Sequence, residues 1–213
     1  VNKLIDAGIG NVIVGAGDQN EVASYVNHTY VGRPEVQVVS SEERFGTGGD
    51  LVSAVRKYPE VFKDTIVIAN ADTIMDIDEA SMVELHRNKN AEFTIAVTRR
   101  RNVHNQDGYY VDYDDRAIYC DESPENDRTP SEAEAETAYR ASSIGTVVLS
   151  KEALSTIDWI PKKGELSIYT DILAHVLKRR SVYAYDNGLK YIQDIGTEDA
   201  WHEAKESPST LQP

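Results

Sequence analysis

Cysteine is nearly missing from this 213-residue chain, and the lone Cys120 can neither close an internal disulfide nor form a CxxC metal or redox pair. The five histidines, His28, His86, His104, His175 and His202, lack HxxH and HExxH spacing, which leaves the common zinc signatures without a match. Neither a GxSxG elbow nor a GxxxxGKS or GxxxxGKT phosphate loop occurs. No apolar run approaches bilayer length, and the opening VNKLIDAGIG lacks the basic start and small-residue cleavage pattern of a secretory signal. Basic residues are also scarce. With 22 Lys and Arg against 36 Asp and Glu, the formal charge of −14 repels polyanions, so nucleic acid and anionic membrane are not expected partners. A soluble, cytoplasmic chain is the resulting expectation. No internal repeat is present, and a homo-oligomer stays open.

What is present has a rhythm. β-rich runs at Asn11 to Gly15, Glu35 to Ser40, Thr65 to Asn70 and Glu92 to Thr98 alternate with helical spacing at Gln19 to Tyr30, Gly48 to Tyr58 and Asp78 to Lys89. Such βαβα order predicts an α/β fold with a Rossmann-like mixed, mostly parallel sheet and helices on both faces. After Arg101 the pattern becomes a hairpin, Tyr109 to Tyr113 with Ala117 to Cys120, around a turn-forming Asp114-Asp115-Arg116. A polar stretch near 121–142, dense in Glu, Ser and Pro, predicts a flexible loop. Order resumes with a buried strand at Ser143 to Leu149, a helix from about Ser167 to Lys178, a strand at Ser181 to Tyr185, and a short one ending at Asp194 before a helix capped by Thr197. The expected organisation is one domain over 1–205 and a frayed tail at 206–213. Val1 to Ala7 reads as a helix ended by Gly8, so the first strand and phosphate loop of such a sheet are expected to be missing.

Three constellations could carry chemistry. A β-rich run, IVIAN, ends at Asn70-Ala71-Asp72, and in open α/β sheets ligands sit beyond the carboxyl ends of strands. A carboxylate there can hold Mg²⁺ against phosphates or cap a turn, and at Asp72 the two readings stand level. Asp78 reads as a helix cap. Between a strand and a helix, Arg44-Phe45-Gly46-Thr47-Gly48-Gly49-Asp50 has glycines that let backbone approach a ligand, with amides able to face a base or phosphate. Asp194-Ile195-Gly196-Thr197 repeats the carboxylate-at-strand-end theme, and if the two strands are neighbours, Asp72 and Asp194 could share one Mg²⁺.

The order of these motifs resembles the sugar-phosphate nucleotidyltransferases, the nucleoside-diphosphate-sugar pyrophosphorylases, and within them the mannose-1-phosphate and heptose-1-phosphate guanylyltransferase branch. The family's LGTGGAL is similar to Phe45 to Leu51, and its NGD to Asn70-Ala71-Asp72. Gly108 fits YGxV, Glu122-Ser123-Pro124 fits EKP, Ser143-Ile144-Gly145 fits NxG, and Asp194 to Thr197 is DIGT. The resemblance implies that a sugar 1-phosphate attacks the α-phosphate of a nucleoside triphosphate, giving NDP-sugar and pyrophosphate, with Mg²⁺ held by Asp72 and Asp194 as the catalytic pair. It further implies nucleotide contacts from Glu43, Gly46, Thr47, Gly48, Gly49 and Asn70, and sugar-phosphate contacts from Gly108, Glu122, Ser143 and Gly145.

Two departures stand out. The family's N-terminal glycine-rich loop with Arg and a later PKP lysine has no counterpart, which implies a chain nearly inactive as it stands. Ser123 replaces the EKP lysine, so either another cation, Arg128 or Arg140 from the polar loop, meets the sugar phosphate, or the substrate differs. Competing expectations are a catalytically inactive nucleotide- or sugar-binding regulatory homologue, and a metal-dependent glycosyltransferase using the Asp-x-Asp at 76–78.

Overall fold

The computed structural model describes residues 1–40, 43–99, 108–120, 136–155, 157, 164–179, 181–188 and 191–206. The chain divides into two compact units, one comprising Val1–Ile66 with Ser150–His175 and the other Val67–Leu149 with Val176–Pro213.

In the first unit a short helix α1 (Asn2–Asp6) stops at Gly8, whose φ of +85° glycine adopts without penalty. Strand β1 (Val12–Gly17) pairs in parallel with β2 (Val36–Ser40) from Val12↔Val36 to Gly15↔Val39, and helix α2 (Asn20–Thr29) connects them. Helix α3 (Gly46–Lys57) buries Leu51, Val52 and Ala54, the spacing of one helical face. Strand β3 (Thr65–Ala69) carries the chain into the second unit. The first unit also holds α5 (Lys151–Ser155), tied to residues 59–64 by Lys151, whose backbone N donates to Asp64 O at 3.0 Å and whose Nζ donates to Phe62 O at 2.8 Å.

The second unit is organised by β5 (Phe93–Thr98), the FTIAVT run in which every residue is buried. Against it lie β8 (Tyr139–Ser150), antiparallel, and β9 (Val182–Asp186), parallel. The strand order is β7-β6-β8-β5-β9, with β6 spanning Tyr109–Val111 and β7 Ala117–Cys120, and β3 also pairing with β8. Helix α4 (Glu79–Asn88) completes a core of Ile77, Met82, Ala96, Ile144 and Val148, joined by Val67, Val83, Tyr185 and Ile192. Each fully buried side chain of this size stabilises by about 1.5–3 kcal/mol, so the cluster fixes α4 on the sheet. The π-helical turn (Ile168–Ile172), which runs into α6 (Leu173–Leu177), belongs to the first unit, and α7 (Glu198–Glu206) to the second.

The mixed α/β class holds, with less parallel pairing than the early βαβα rhythm predicts. β1–β2, joined by α2, and β5–β9 are parallel, whereas the β6–β7 hairpin returns the chain as β8 between β6 and β5 and so antiparallel to both. β8 starts at Tyr139, which places Arg140 in a strand rather than in the polar loop. β3 is less enclosed than its composition suggests, with only Ile66 fully buried. The helix expected from Ser167 is instead the π turn plus α6, with Ser167 Oγ accepting from the amides of Tyr169 and Thr170, both at 3.2 Å. Missed altogether was β4 (Thr73–Met75), which pairs antiparallel with β10 (Ile192–Asp194). Three residues with a Met and a Thr carry too little periodicity to register.

His86, only 3% exposed on α4, shares a 2.9 Å hydrogen bond between Nδ1 and Thr94 Oγ1. Burial, aided by the charge of Arg87, lowers its pKa from 6.5 to about 4. The unfolded chain takes up this proton near pH 6.5 and the folded chain resists until about pH 4, so the folded state loses stability as pH falls through that window. The expected loss from this group is roughly 3 kcal/mol by pH 4. Urea melts at pH 7, 6 and 5 should show that slope, and His86→Leu should flatten it.

Candidate functional site

Asp72 lies just past β3, and the chain turns straight into β4. Because β4 pairs with β10 in the register Thr73↔Asp194, the second carboxylate arrives beside the first. The Ile195 amide donates to Asp72 O at 2.7 Å and the Gly196 amide to Asp194 Oδ1 at 2.7 Å, which fixes both ends of the turn. A Cβ placed on Gly196 would lie 3.1 Å from Asp194 Oδ1 and 3.3 Å from Asp72 Oδ2, so two carboxylate oxygens face one point that glycine leaves open. Both side chains are exposed. The expected neighbourhood of the two strands is therefore present, through the short strand after Asp72 rather than through β3 itself.

This donor set suits a hard divalent cation. Among the described residues no group of three or more His, Cys, Asp or Glu side chains could hold a metal. Mg²⁺ needs less, since it commonly binds through one or two carboxylates and completes its octahedron with water and phosphate oxygens.

Asn70 and Gly145 meet in the same unit. The Asn70 amide donates to Gly145 O at 2.8 Å, and a Cβ on Gly145, whose φ is +81°, would press on Asn70 Cβ and Nδ2 at 3.2 Å. Ser143 Oγ accepts from the Gly145 amide at 3.3 Å, and Gly108 is buried at the entry to β6. Glu122 lies outside the described residues, as do Ser123 and Arg128.

The acids of residues 76–78 have other duties. Asp78 caps α4, its Oδ1 accepting from the Ser81 amide at 3.0 Å and its Oδ2 from Ser81 Oγ at 2.7 Å. The Asp76 backbone is held by Tyr191 O and by Asn187 Nδ2. An Asp-x-Asp metal motif would have to give up that cap.

In the first unit the glycine loop is committed to packing. The amides of Gly48 and Gly49 both donate to Leu166 O, at 2.7 and 3.2 Å, and Thr47 Oγ1 accepts from the Ile168 amide at 3.1 Å. The amides expected to face a ligand thus already have a protein partner. Glu43 and Thr47 are exposed beside it. Sequence reasoning passed over Asp50, whose carboxyl is pushed up by burial and by the nearby charge of Asp18. Its Oδ2 lies 3.5 Å from where a Gly17 Cβ would be, and Asp18 in turn pairs with Arg44 Nε at 3.1 Å. The signal was there, since Asp50 stands where the LGTGGAL pattern has alanine.

The sequence profile described as Nucleotidyl transferase matches residues 1–209. The chain belongs to the nucleotidyl transferase family. Among curated relatives, mannose-1-phosphate guanylyltransferase of Mycobacterium tuberculosis is 25% identical over 203 residues, covering 92% of this chain and 51% of that protein. D-glycero-alpha-D-manno-heptose 1-phosphate guanylyltransferase of Aneurinibacillus thermoaerophilus is 26% identical over 201 residues, covering 93% and 78%. This nucleotidyl transferase chain therefore spans about half the length of the first and most of the second. The fold resembles that of HddC from Yersinia pseudotuberculosis complexed with GMP-PN, with a TM-score of 0.68 at 18% identity over 96% of this chain and 81% of that one. Among the described residues no helix is long and apolar enough to cross a membrane.

Proposed function

We propose that this nucleotidyl transferase chain joins a nucleoside triphosphate, with GTP favoured, to a sugar 1-phosphate, releasing pyrophosphate. The observation that carries the reading is the convergence of Asp72 and Asp194 on the open point at Gly196, in a chain whose relatives are named as guanylyltransferases. The two carboxylates would hold Mg²⁺. When bound there, the cation offsets phosphate charge and aligns an in-line displacement. The chain's own residues supply position. The Ile195 amide holds the Asp72 backbone carbonyl, and the Gly196 amide holds the Asp194 carboxylate. Asn70, braced by Gly145, would orient ligand oxygens two residues before Asp72, with Gly108 and Ser143 lining the sugar-phosphate pocket and Glu122 joining them. Glu43 and the Gly46–Gly49 turn would bear on the nucleotide, the turn by shaping backbone more than by offering its committed amides. Nucleotidyl transfer of this kind depends on positioning and electrostatics more than on an acid or base.

The test is pyrophosphate release from each of the four nucleoside triphosphates with Mg²⁺ and a panel of hexose and heptose 1-phosphates. Release with GTP and at least one sugar supports the reading. Absence of release with every pair, alongside retained GTP binding, favours a nucleotide-binding regulatory role instead.

Gly196→Ala supplies a finer test. Its methyl occupies the point both carboxylates face, so divalent-cation affinity should fall at least about tenfold, the equivalent of about 1.4 kcal/mol. The Gly196 φ lies outside the left-handed region, so the melting temperature should barely change. Calorimetric Mg²⁺ titration with a parallel melt measures both.

A further inference from the structure

The strand that brings Asp72 beside Asp194 has little pairing of its own. β4 is three residues long and pairs with the equally short β10, so among the described residues this ladder stands apart from the six-stranded sheet, and two-stranded ladders are marginal alone. Met75 and Ile192 pack against the core cluster. Apolar packing holds a strand down but is non-directional, so it fixes the strand's position along the sheet only loosely.

Two buried polar side chains supply the direction. Thr146 Oγ1, from β8, donates to Met75 Sδ at 3.1 Å, and Asn187 Nδ2 donates to Asp76 O at 2.8 Å. Asn187, only 4% exposed, is the stiffer link. Its own amide donates to Val97 O at 2.9 Å, near the end of the wholly buried β5. The turn that carries it is fixed by Thr98 Oγ1 donating to Gly188 O at 3.1 Å and by the Gly188 amide donating to Asp186 Oδ1 at 2.8 Å. The Asp76 amide donates to Tyr191 O at 2.9 Å, so Asp76 connects the approach to β10 as well as β4 to this one side chain. The carboxamide is also costly where it sits. Asn187 Oδ1 is buried with no hydrogen-bond partner among the described residues, a burden of about 1–3 kcal/mol that an apolar side chain of similar size would avoid. Packing alone gains nothing from it.

We propose that Asn187 is a positioning residue for the cation site, fixing β4 and β10 so that Asp72 and Asp194 keep the spacing that favours Mg²⁺ over a larger cation. The inference rests on the metal reading of that pair under the proposed function. Mg²⁺ demands near-ideal octahedral geometry at about 2.0–2.1 Å, whereas Ca²⁺ accepts irregular geometry at about 2.3–2.6 Å. Loosening the ladder therefore penalises Mg²⁺ more than Ca²⁺, whereas a general loss of stability weakens both alike.

Mn²⁺ titration followed by electron paramagnetic resonance, with Mg²⁺ and Ca²⁺ as competitors, is run on the wild type, Asn187→Leu, Asn187→Ala and a control, Thr94→Val, which removes the buried contact to His86. In both Asn187 variants Mg²⁺ should weaken about tenfold, the low end of what residues behind metal ligands contribute, and Ca²⁺ by no more than about threefold. Asn187→Leu fills the space of the carboxamide, and Asn187→Ala gives the same reading without adding bulk. Thr94→Val should leave both affinities at their wild-type values. A preference for Mg²⁺ over Ca²⁺ that is unchanged in the Asn187 variants, or shifted as much by Thr94→Val, overturns the inference and leaves the metal reading standing. A wild type with no saturable Mn²⁺ site removes that reading, and this inference with it.

Discussion

Asp72→Asn and Asp194→Asn should each lower Mg²⁺-dependent nucleotidyl transfer about 1,000-fold or more, while the melting temperature stays within a few degrees of wild type. The magnitude follows from charge. One unit charge about 4 Å from another is worth about 4 kcal/mol at an effective dielectric of about 20, or about three powers of ten in rate. Each cation charge adds to that figure, so it is a lower bound. The fold should be indifferent because both side chains are exposed, and asparagine can still accept the Gly196 amide that Asp194 Oδ1 accepts now. Asp78→Asn is the control. It replaces one good helix cap with another, so activity should hold and stability should move by only a few tenths of a kcal/mol. Steady-state pyrophosphate release on the three variants, with thermal melts, checks all of these outcomes.

Gly46→Ala should be strongly destabilising, costing about 2–4 kcal/mol. Its φ of +72° strains any side chain by about 1–2 kcal/mol, and its Cβ would stand 2.6 Å from Leu166 O and 3.1 Å from Leu166 N. Those are backbone atoms that cannot swing aside, and Leu166 is pinned because its amide donates to Phe45 O at 2.8 Å. A urea midpoint shifted well below wild type in ligand-free protein would show that the glycine serves packing. An unchanged midpoint with lost GTP affinity would return it to the role the sequence suggested.

How much was legible follows from what each signal encodes. Periodicity placed most helices and strands of the structure within a residue or two, because burying one face imposes a repeat that a sequence displays. It could not show strand neighbours, and so left the buried strand at Ser143 to Leu149 without the antiparallel partners β5 and β6 that it has as β8. The pairing of Asp72 with Asp194 was conditional on adjacency. The three-residue strand that supplies it, Thr73–Met75, was too short to see. The glycine loop was recognised as special but for one reason of two, since close approach serves a ligand and a neighbouring backbone equally, and only Leu166 shows which partner is present. Asp78 as a cap was legible because N-cap chemistry is local. Arg140 was assigned to a polar loop because no local pattern reveals that Tyr110 lies beneath it across the sheet.

Divalent-cation binding tests the central claim most directly, because it reads the Asp72–Asp194 pair without requiring turnover. Mn²⁺, a spectroscopic stand-in for Mg²⁺, should titrate one saturable site in wild-type protein by electron paramagnetic resonance. Asp72→Asn and Asp194→Asn should each remove that same site. Mn²⁺ bound equally well by all three proteins would contradict the account.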